Sequence, residues 1–311
     1  MERIFSGAVP DHLRGGVVAL GNFDGFHLGH QAVVGAALAR ARAEGRPALV
    51  ATFDPHPARL FRPDAAPFGL TSTAQKLDLL AAFGVDATVV MPFDHAFAAM
   101  PAEAFVTDWL RDRIGAHAVV SGADFTFGFK RSGDVGSLAR LGAEHGIAAE
   151  VVPAVTDAEG VISSTRVRDR LRAADPQGAA ALLTRPFTIV GVVHHGAKVG
   201  RTLGFPTANV SLGDYQRPAY GVYAVRALLD DGSVIDGVAN LGIRPMIEPP
   251  LELLEVNLFD WSGDLYERTI GVELHAFLRP EWKLDSFDAL IRQIAADSMA
   301  ARGKLALVRP D

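Results

Sequence analysis

The arrangement of apolar residues along this 311-residue chain changes at about residue 183. Before that point, short β-rich runs alternate with segments whose apolar residues recur at helical spacing. The strand-like runs cover residues 17–20, 48–53, 87–91 and 118–121, and the helical patterns cover residues 30–41, 73–82 and 102–114. Such alternation predicts an α/β fold, with a parallel sheet wound by helices on both faces.

The remainder of the chain has a different pattern. Strand-like runs cover residues 189–193, 222–229, 234–241, 251–259 and 270–277, separated by Gly, Asp and Pro clusters. One strong helical pattern follows, from Ser286 as N-cap to about residue 302, with Asp288 in its positive first turn. The sequence therefore predicts a small β-barrel with a terminal helix. We expect residues 175–186 to be a linker between domains at 1–183 and 184–311.

Composition excludes several classes of protein. The hydrophobic content of 49% and charged content of 21% indicate a globular chain rather than a disordered one. The net charge of -6 has the wrong sign for a nucleic-acid-binding surface. The absence of cysteine excludes disulfide frameworks, cysteine zinc sites and thiol nucleophiles. Without a signal-peptide pattern or an apolar run near 20 residues, a cytoplasmic protein with no membrane segment is expected.

The first candidate site is a glycine-rich segment, residues 21–30 (GNFDGFHLGH), between the first strand and the first helix. The carboxyl end of a strand is where open α/β sheets bind ligands, and the N-terminus of a helix suits phosphate. His27 and His30 can donate hydrogen bonds to a triphosphate as charge develops. Taken alone, two ordinary loop histidines explain the pattern equally well. A zinc pair is less favoured, because thiolates and a helical H-E-x-x-H are lacking.

This segment resembles the H-x-G-H motif of the nucleotidyltransferase superfamily, and over its whole length it resembles the bacterial FAD synthetases. Three further strings are similar to motifs of that family: TFDPHP at 52–57, GADFTFG at 122–128 and ISSTRVR at 162–168. The resemblance implies a Rossmann-like nucleotidyltransferase domain. Its activity would be adenylyl transfer from ATP to FMN, giving FAD and pyrophosphate.

The resemblance also implies roles for individual residues. His27 and His30 would stabilise the transferring phosphates, and no general base is needed because the attacking phosphate is already ionised. The implied ATP and phosphate contacts are Gly21, Asn22, Phe23, Asp24, Gly29, Ser164, Thr165 and Arg166. The implied flavin contacts are Pro55, His56, Asp124, Thr126 and Phe127. Taken singly, Phe127 is better explained as a core aromatic, and His56 between two prolines fits a rigid turn equally well.

The second candidate site begins with residues 196–209 (GAKVGRTLGFPTAN). This string is not a P-loop, because it lacks G-K-[ST], and its glycine spacing favours a flap that folds over phosphates. If the following segment is extended, Thr207 and Asn209 lie on one side, where a hydroxyl and an amide oxygen suit Mg²⁺ together with ATP phosphates and waters. Thr-x-Asn alone carries no information. The full string closely resembles the signature of the riboflavin kinase domain, which is a small β-barrel.

Glu255 stands on an alternating strand. Leu254, Val256 and Leu258 form its apolar side, so Glu255 and Asn257 share the other face. A solvent-facing carboxylate is the ordinary interpretation of such a residue. Residues 254–260, however, resemble the family segment whose glutamate is the catalytic base.

The resemblance therefore implies that Glu255 accepts the proton of the ribityl alcohol. It further implies ATP contacts at Gly200 and Arg201, and a flavin contact at Arg279. The departures nearest the kinase chemistry are Met246 and Glu267, and Asn257 stands where His is common.

Together these resemblances imply a bifunctional enzyme that converts riboflavin to FMN and FMN to FAD. ATP is the co-substrate in both steps, Mg²⁺ is the expected metal, and FMN and FAD are substrate and product rather than bound redox cofactors. The expected partners are riboflavin, FMN and ATP, with no nucleic acid or membrane, and weak self-association is left open. The rival hypotheses are adenylylation of another phosphorylated metabolite and simple flavin binding by a carrier or regulator.

Overall fold

The computed structural model describes residues 1–5, 8–195, 205–244, 251–282 and 286–308. The chain divides into two compact units. The first comprises Met1–Ala66 and Thr73–Ser163, and the second comprises Pro67–Ser72 and Ser164–Asp311. The domain limits expected from the sequence, 1–183 and 184–311, differ from the limits of these compact units and stay a prediction.

The first unit is built on a six-stranded sheet in the order β1-β4-β3-β2-β5-β6. Its strands are β1 (Glu2–Phe5), β2 (Val17–Leu20), β3 (Ala48–Asp54), β4 (Ala87–Pro92), β5 (Ala118–Gly122) and β6 (Ala148–Val152). Every neighbouring pair is parallel, which confirms the prediction of a parallel α/β sheet. A short hairpin, β7 (Thr156–Asp157) and β8 (Gly160–Val161), follows the sheet.

Both faces of this sheet are covered. Val18 and Leu20 of β2 belong to one apolar cluster, whereas Val17 and Ala19 belong to another. Successive side chains of a strand point to opposite faces, so the two clusters are the two covered faces of a doubly wound sheet.

The helices of the first unit follow the apolar spacing of the sequence. They are α1 (Leu28–Glu44), α2 (Pro57–Phe61), α3 (Thr73–Phe83), α4 (His95–Ala98), α5 (Ala102–Ala104) and α6 (Val135–Glu144), with 3-10 turns at Asp11–Leu13 and Phe129–Arg131. The buried residues of α1 are the five whose spacing predicted it: Val33, Val34, Ala37, Leu38 and Ala41. The helix predicted over 102–114 instead continues from α5 as a π-helix, Phe105–Ile114.

The second unit contains a closed barrel in the order β10-β13-β12-β11-β14-β9. Its strands are β9 (Phe187–His194), β10 (Ala208–Ser211), β11 (Gly221–Leu228), β12 (Val234–Arg244), β13 (Leu251–Leu258) and β14 (Thr269–Arg279). All neighbouring strands are antiparallel. The predicted small β-barrel is therefore confirmed.

Three helices accompany the barrel in the described part of this unit: α7 (Ser164–Arg172), α8 (Pro176–Leu183) and α9 (Phe287–Ala306). Residues 175–186, expected to be a linker, are mostly helical, because α8 occupies Pro176–Leu183. The Asp175 side chain caps α8 by accepting from the Gly178 N–H at 2.8 Å, and Pro176 stands in the first turn. The proline and the cap that looked like linker composition are signals that start a helix.

Helix α9 confirms the predicted terminal helix. Ser286 is its N-cap, and its side chain accepts from the Ala289 N–H at 3.2 Å. Ala301 and Leu305 are fully buried, in one apolar cluster with Val222 and Ala224 of β11. The helix is therefore held on the outer face of the barrel by its C-terminal half.

Candidate active sites

Three of the segments singled out in the sequence leave neighbouring strands at the same edge of the first sheet. β2 lies between β3 and β5, with Leu20 beside Ala51 on one side and Ser121 on the other. The loops after these three strands are therefore adjacent. Strand order also reverses between β2 and β5, and open α/β sheets bind ligands at such a crevice.

His27 is the N-cap of α1. Its Nδ1 atom accepts from the backbone N–H groups of Gly29 at 3.1 Å and His30 at 3.4 Å. Because Nδ1 is an acceptor, the ring proton belongs on Nε2, which becomes the donor. The His27 and His30 rings stack with centroids 3.7 Å apart. The two histidines of the predicted motif are thus brought together at the start of the helix.

The loop before His27 contains residues in an unfavourable backbone conformation. Phe23 and Phe26 have φ angles of 51° and 44°, which residues other than Gly, Asn and Asp adopt rarely. Both side chains are buried, at 1% and 3% exposure, so packing holds the backbone in place. Strain of this kind concentrates at binding sites that must be preorganised.

The predicted flavin residues have mixed environments. His56 Nδ1 accepts from the Ala58 N–H at 3.1 Å and caps α2, directly after the cis Asp54–Pro55 bond. Asp124 and Thr126 are exposed, whereas Phe127 is 6% exposed and lies in the core beneath half-buried Phe125. Their contact with flavin stays a prediction, and Phe127 has the burial of a core aromatic.

Ser164, Thr165 and Arg166 form the first turn of α7, in the second unit. Their start-of-helix position agrees with the sequence pattern. Their role at the phosphates of ATP stays a prediction.

Lys76 was not foreseen from the sequence. It lies on α3 at 7% exposure, and its ammonium donates to Asn22 O at 3.1 Å, Thr52 Oγ1 at 3.0 Å and Phe53 O at 3.3 Å. Burial lowers the pKa of Lys76 to about 8, against the opposing attraction of Asp24 and Asp54. A signal was present, since residue 76 shares the apolar helix face of Leu77 and Leu80.

In the second unit, a row of polar residues crosses adjacent strands of the barrel. Glu255 on β13 is opposite Asn209 on β10 and, on its other side, opposite Asn240 on β12. Directly opposed residues place their Cβ atoms about 4.5–5.5 Å apart on the same face. Leu254 and Val256, its chain neighbours, are buried at 0% and 1%. The alternation read from the sequence holds for these two neighbours, whereas Leu258 is half-buried and Asn257 is only 8% exposed.

Asn240 is held from beyond the row, because its amide donates to Glu281 Oε1 at 3.0 Å. Asn257, one of the departures from the family pattern, donates to Pro206 O at 2.8 Å. That bond fixes the chain immediately before Thr207. The sequence places Asn240 and Glu281 only generally in the walls of the nucleotide and flavin site, without individual roles, because strand register cannot be read from one strand.

Thr207 and Asn209 line a pocket of about 250 Å³ in the second unit. The pocket is completed by the segment 261–266, and the Tyr266 ring lies 3.8 Å from that of His195. Gly200, Arg201 and Met246 lie outside the described residues. Glu267, which follows the pocket, has a φ of 61°, so a residue with a side chain occupies a glycine-like conformation there.

Arg279 ends β14 and is committed to an ion pair. Its Nε and Nη2 atoms donate to the two carboxylate oxygens of Asp297 on α9, at 2.9 and 2.7 Å. Its guanidinium also lies 4.6 Å from the centre of the Trp282 ring. A flavin contact at Arg279 stays a prediction, and this geometry shows in addition a structural role.

Comparison with known proteins matches both units. The family model of FAD synthetase matches residues 9–166, and that of riboflavin kinase matches residues 183–305. The bifunctional riboflavin kinase/FMN adenylyltransferase of Escherichia coli K12 is 41% identical over 298 residues, which cover 95% of each chain. The chain belongs to the bifunctional riboflavin kinase/FMN adenylyltransferase family. The protein of that name from Bacillus subtilis is 37% identical, over 92% of this chain and 91% of its own.

A solved structure described as a macrolide-efflux protein from Streptococcus pneumoniae has the same fold as the present chain. Its TM-score is 0.86 at 31% identity, over 97% of this chain and 99% of that one. Among the helices that the structure describes in the present chain, none has the length and apolar character needed to cross a membrane.

Proposed function

We propose that this chain catalyses two consecutive ATP-dependent steps, phosphorylation of riboflavin to FMN in the second unit and adenylylation of FMN to FAD in the first. The observation that carries the proposal is the presence of two separate polar arrangements in a chain of the bifunctional family. One is the stacked His27 and His30 pair at the start of α1. The other is the row of Asn209, Glu255 and Asn240 on the barrel.

In adenylyl transfer, a phosphate oxygen of FMN attacks the α-phosphorus of ATP, and the bond to the bridging oxygen of pyrophosphate breaks. The chain must orient the two phosphates and stabilise the developing charge. Two N–H groups at the positive end of α1 donate to His27 Nδ1, so they polarise the ring and strengthen Nε2–H as a donor. We infer that the Nε2–H group of His27 donates a hydrogen bond to the transferring phosphates and stabilises their developing negative charge.

In phosphorylation, the terminal hydroxyl of the ribityl chain attacks the γ-phosphorus of ATP and ADP departs. Glu255 is the carboxylate that accepts the hydroxyl proton in this proposal, which converts a poor nucleophile into a competent one. Asn209 and Asn240 stand on either side of it, where their amides can orient the carboxylate and the phosphates. The bond from Asn240 to Glu281 restricts that orientation.

The metal in this proposal is Mg²⁺, held by Thr207 and Asn209. Their hydroxyl and amide oxygens are hard donors of the kind that Mg²⁺ prefers. Within the described parts of the chain, no group of three or more His, Asp or Glu is placed to hold a metal ion. Thr207 and Asn209 would hold an ion that takes its remaining ligands from ATP phosphates and water and that would neutralise phosphate charge.

Two rival functions are less well supported. If the first unit adenylylated a different phosphorylated metabolite, the Glu255 row would have no role in the same sequence of reactions. A kinase in the second unit, in contrast, supplies the FMN that the first unit adenylylates. Flavin binding alone would need neither a carboxylate in that row nor the paired histidines. We place the activity in the cytoplasm, where ATP is available to both steps.

The test is to incubate the protein with riboflavin, ATP and Mg²⁺ and to separate FMN and FAD by chromatography. Wild-type protein should form both products, and formation of neither would refute the proposal. His27→Ala should lose about 10²–10³-fold in FAD formation from FMN while keeping FMN formation, since one charge-stabilising donor is removed. Glu255→Gln should lose about 10²–10⁴-fold in FMN formation while keeping FAD formation from supplied FMN.

His117→Ala is the matched control for His27. His117 immediately precedes β5, so it lies at the opposite edge of the sheet, and both activities should persist in this variant. If His27→Ala and Glu255→Gln each abolished both activities in folded protein, the assignment of one reaction to each unit would be wrong.

A further inference from the structure

Lys76 is a buried charged residue of the first unit that the proposed chemistry does not use. Its ammonium is surrounded by three oxygen acceptors, namely Asn22 O, Thr52 Oγ1 and Phe53 O, at 3.0–3.3 Å. An ammonium carries three N–H donors and no acceptor, so the group matches this set one donor to each oxygen. Neither a neutral amine nor an apolar side chain of that length could do so.

One acceptor belongs to the loop that leads to His27, and the other two belong to the end of β3, directly ahead of the segment that carries His56. Asn22 begins the strained loop that runs through Phe23 and Phe26 to His27. Thr52 and Phe53 lie near the end of β3, whose last residue, Asp54, precedes Pro55 and His56. Lys76 thus joins the backbone ahead of the histidine pair to the backbone ahead of the predicted flavin segment.

Thr52 completes the connection. Its hydroxyl donates to Asn22 O at 3.1 Å while it accepts from Lys76. The carbonyl of Asn22 therefore receives both the ammonium and the hydroxyl. If either the Thr52 hydroxyl or the Lys76 ammonium is removed, the Asn22 carbonyl keeps the other donor. Removal of the ammonium, however, also takes its hydrogen bond from the Phe53 carbonyl.

We propose that Lys76 is a positioning residue for adenylyl transfer: its ammonium fixes the loop that carries His27 relative to the loop that carries His56. This inference rests on the proposed function of the first unit. Lys76 acts through the two loops and does not itself touch the reacting atoms. Holding ATP and the acceptor phosphate in attacking geometry is the main catalytic task here, and an error of about 1 Å in position can cost 10²-fold in rate.

The positioning depends on pH, because it requires the protonated form of Lys76. The charged groups that act on Lys76 are Asp24, on the histidine loop, and Asp54, at the end of β3, and both favour the ammonium. Burial opposes them and is the larger effect, which places the pKa of Lys76 at about 8. Above that pH the amine has two donors for three acceptors. One loop carbonyl or the Thr52 hydroxyl then loses its donor.

The experiment compares pH profiles of kcat/KM for FAD formation from FMN, which report groups of the free enzyme. Wild-type protein should lose activity on an alkaline limb with an apparent pKa near 8. Lys76→Met should lower kcat/KM by about 10–100-fold at pH 7 and lack that limb. FMN formation by the same samples should keep its pH profile in both proteins, since the kinase residues belong to the other unit.

Two further variants separate positioning from general destabilisation. Leu77→Val alters the neighbouring buried residue of α3, at 2% exposure, and should keep both kcat/KM and the alkaline limb while the unit stays folded. Thr52→Val should lower kcat/KM on its own, yet add little to Lys76→Met, because both act on the carbonyl of Asn22. This variant carries the test if Lys76→Met does not fold.

The outcomes are distinct. Absence of an alkaline limb near pH 8 in wild-type FAD formation, or an unchanged profile in Lys76→Met, would overturn the positioning role while leaving the proposed function intact. An equal loss in Leu77→Val would also overturn it. Failure of wild-type protein to form FAD at all would overturn the proposed function and this inference together.

Discussion

The ion pair between Arg279 and Asp297 offers a sharp test of what joins α9 to the barrel. Asp297 accepts two bonds from the Arg279 guanidinium and a third from Gln293 Nε2 at 2.9 Å. The two side chains are only 14% and 9% exposed, so both charges have lost most of their water. We expect Asp297→Leu to destabilise the second unit strongly, and the double variant Arg279→Met/Asp297→Leu to destabilise it much less.

The magnitudes follow from desolvation. In Asp297→Leu the guanidinium stays buried without its carboxylate, and breaking a buried pair in this way costs about 3–5 kcal/mol of the free energy of unfolding. Removing both charges together removes the desolvation penalty along with the attraction, and such replacements are often neutral or stabilising. The double variant should therefore recover most of the loss.

Hydrogen exchange resolved by peptide is the suitable assay, because a protein with two units does not unfold in one cooperative step. Protection of β11 should fall in Asp297→Leu and return in the double variant, while protection of β2 in the first unit stays constant. A double variant as unstable as Asp297→Leu would refute the desolvation argument. A raised KM for riboflavin in a stable double variant would support the flavin contact implied for Arg279.

Three further predictions follow from single contacts. Gly29→Ala should reduce FAD formation by about 10–100-fold with FMN formation unchanged, because a Cβ there would lie 3.1 Å from His27 Cε1 and 3.2 Å from Ile162 O; Gly35→Ala, with nothing within 4 Å of its Cβ, is the control and should be fully active. Arg226→Met should increase hydrogen exchange at the C-terminal end of α9, because Arg226 donates to the carbonyls of Leu305, at 3.1 Å, and Val308; unchanged exchange there would contradict this. The pKa of Lys76 is about 8 in the folded protein, below the ordinary lysine value of 10.5. Between these two pH values the unfolded chain therefore binds more protons than the folded one. The free energy of unfolding of the first unit, measured in denaturant, should accordingly rise with pH across that window more steeply in wild type than in Lys76→Met.

Local patterns were sufficient for the elements that carry the first site. The strand β2, the loop after it and the buried face of α1 follow from periodicity and glycine placement within one stretch of chain. The carboxyl-edge location of the histidines followed from strand–helix alternation, because a parallel sheet puts all such loops at one edge. Similarity of the sequence to known motifs added the two activities, and the family comparisons confirmed those activities, whereas the roles of individual residues stay predictions.

Other features could not be read locally. Residues 175–186 contain the proline and polar residues of a linker, yet Ala179, Leu182 and Leu183 are buried, so packing makes a helix of them. On α9 the apolar residues Phe287 and Ile291 are 67% and 36% exposed, whereas Asp297 is buried. Which side of that helix meets the barrel depends on the partner surface and on Arg279, which lies 18 residues earlier in the chain.

The sequence by itself thus determined the two units in order, the parallel sheet and the barrel, and the residues that resemble catalytic groups, since all of these depend on short-range periodicity or contiguous motifs. Only the tertiary structure decided that Asn209 and Asn240 stand on either side of Glu255, because that neighbourhood depends on the register of three strands. Only the tertiary structure likewise placed the charge of Lys76 against the backbone ahead of His27 and the end of β3. An isolated helix would leave that lysine in water, and burial gives it both its three acceptors and its lowered pKa.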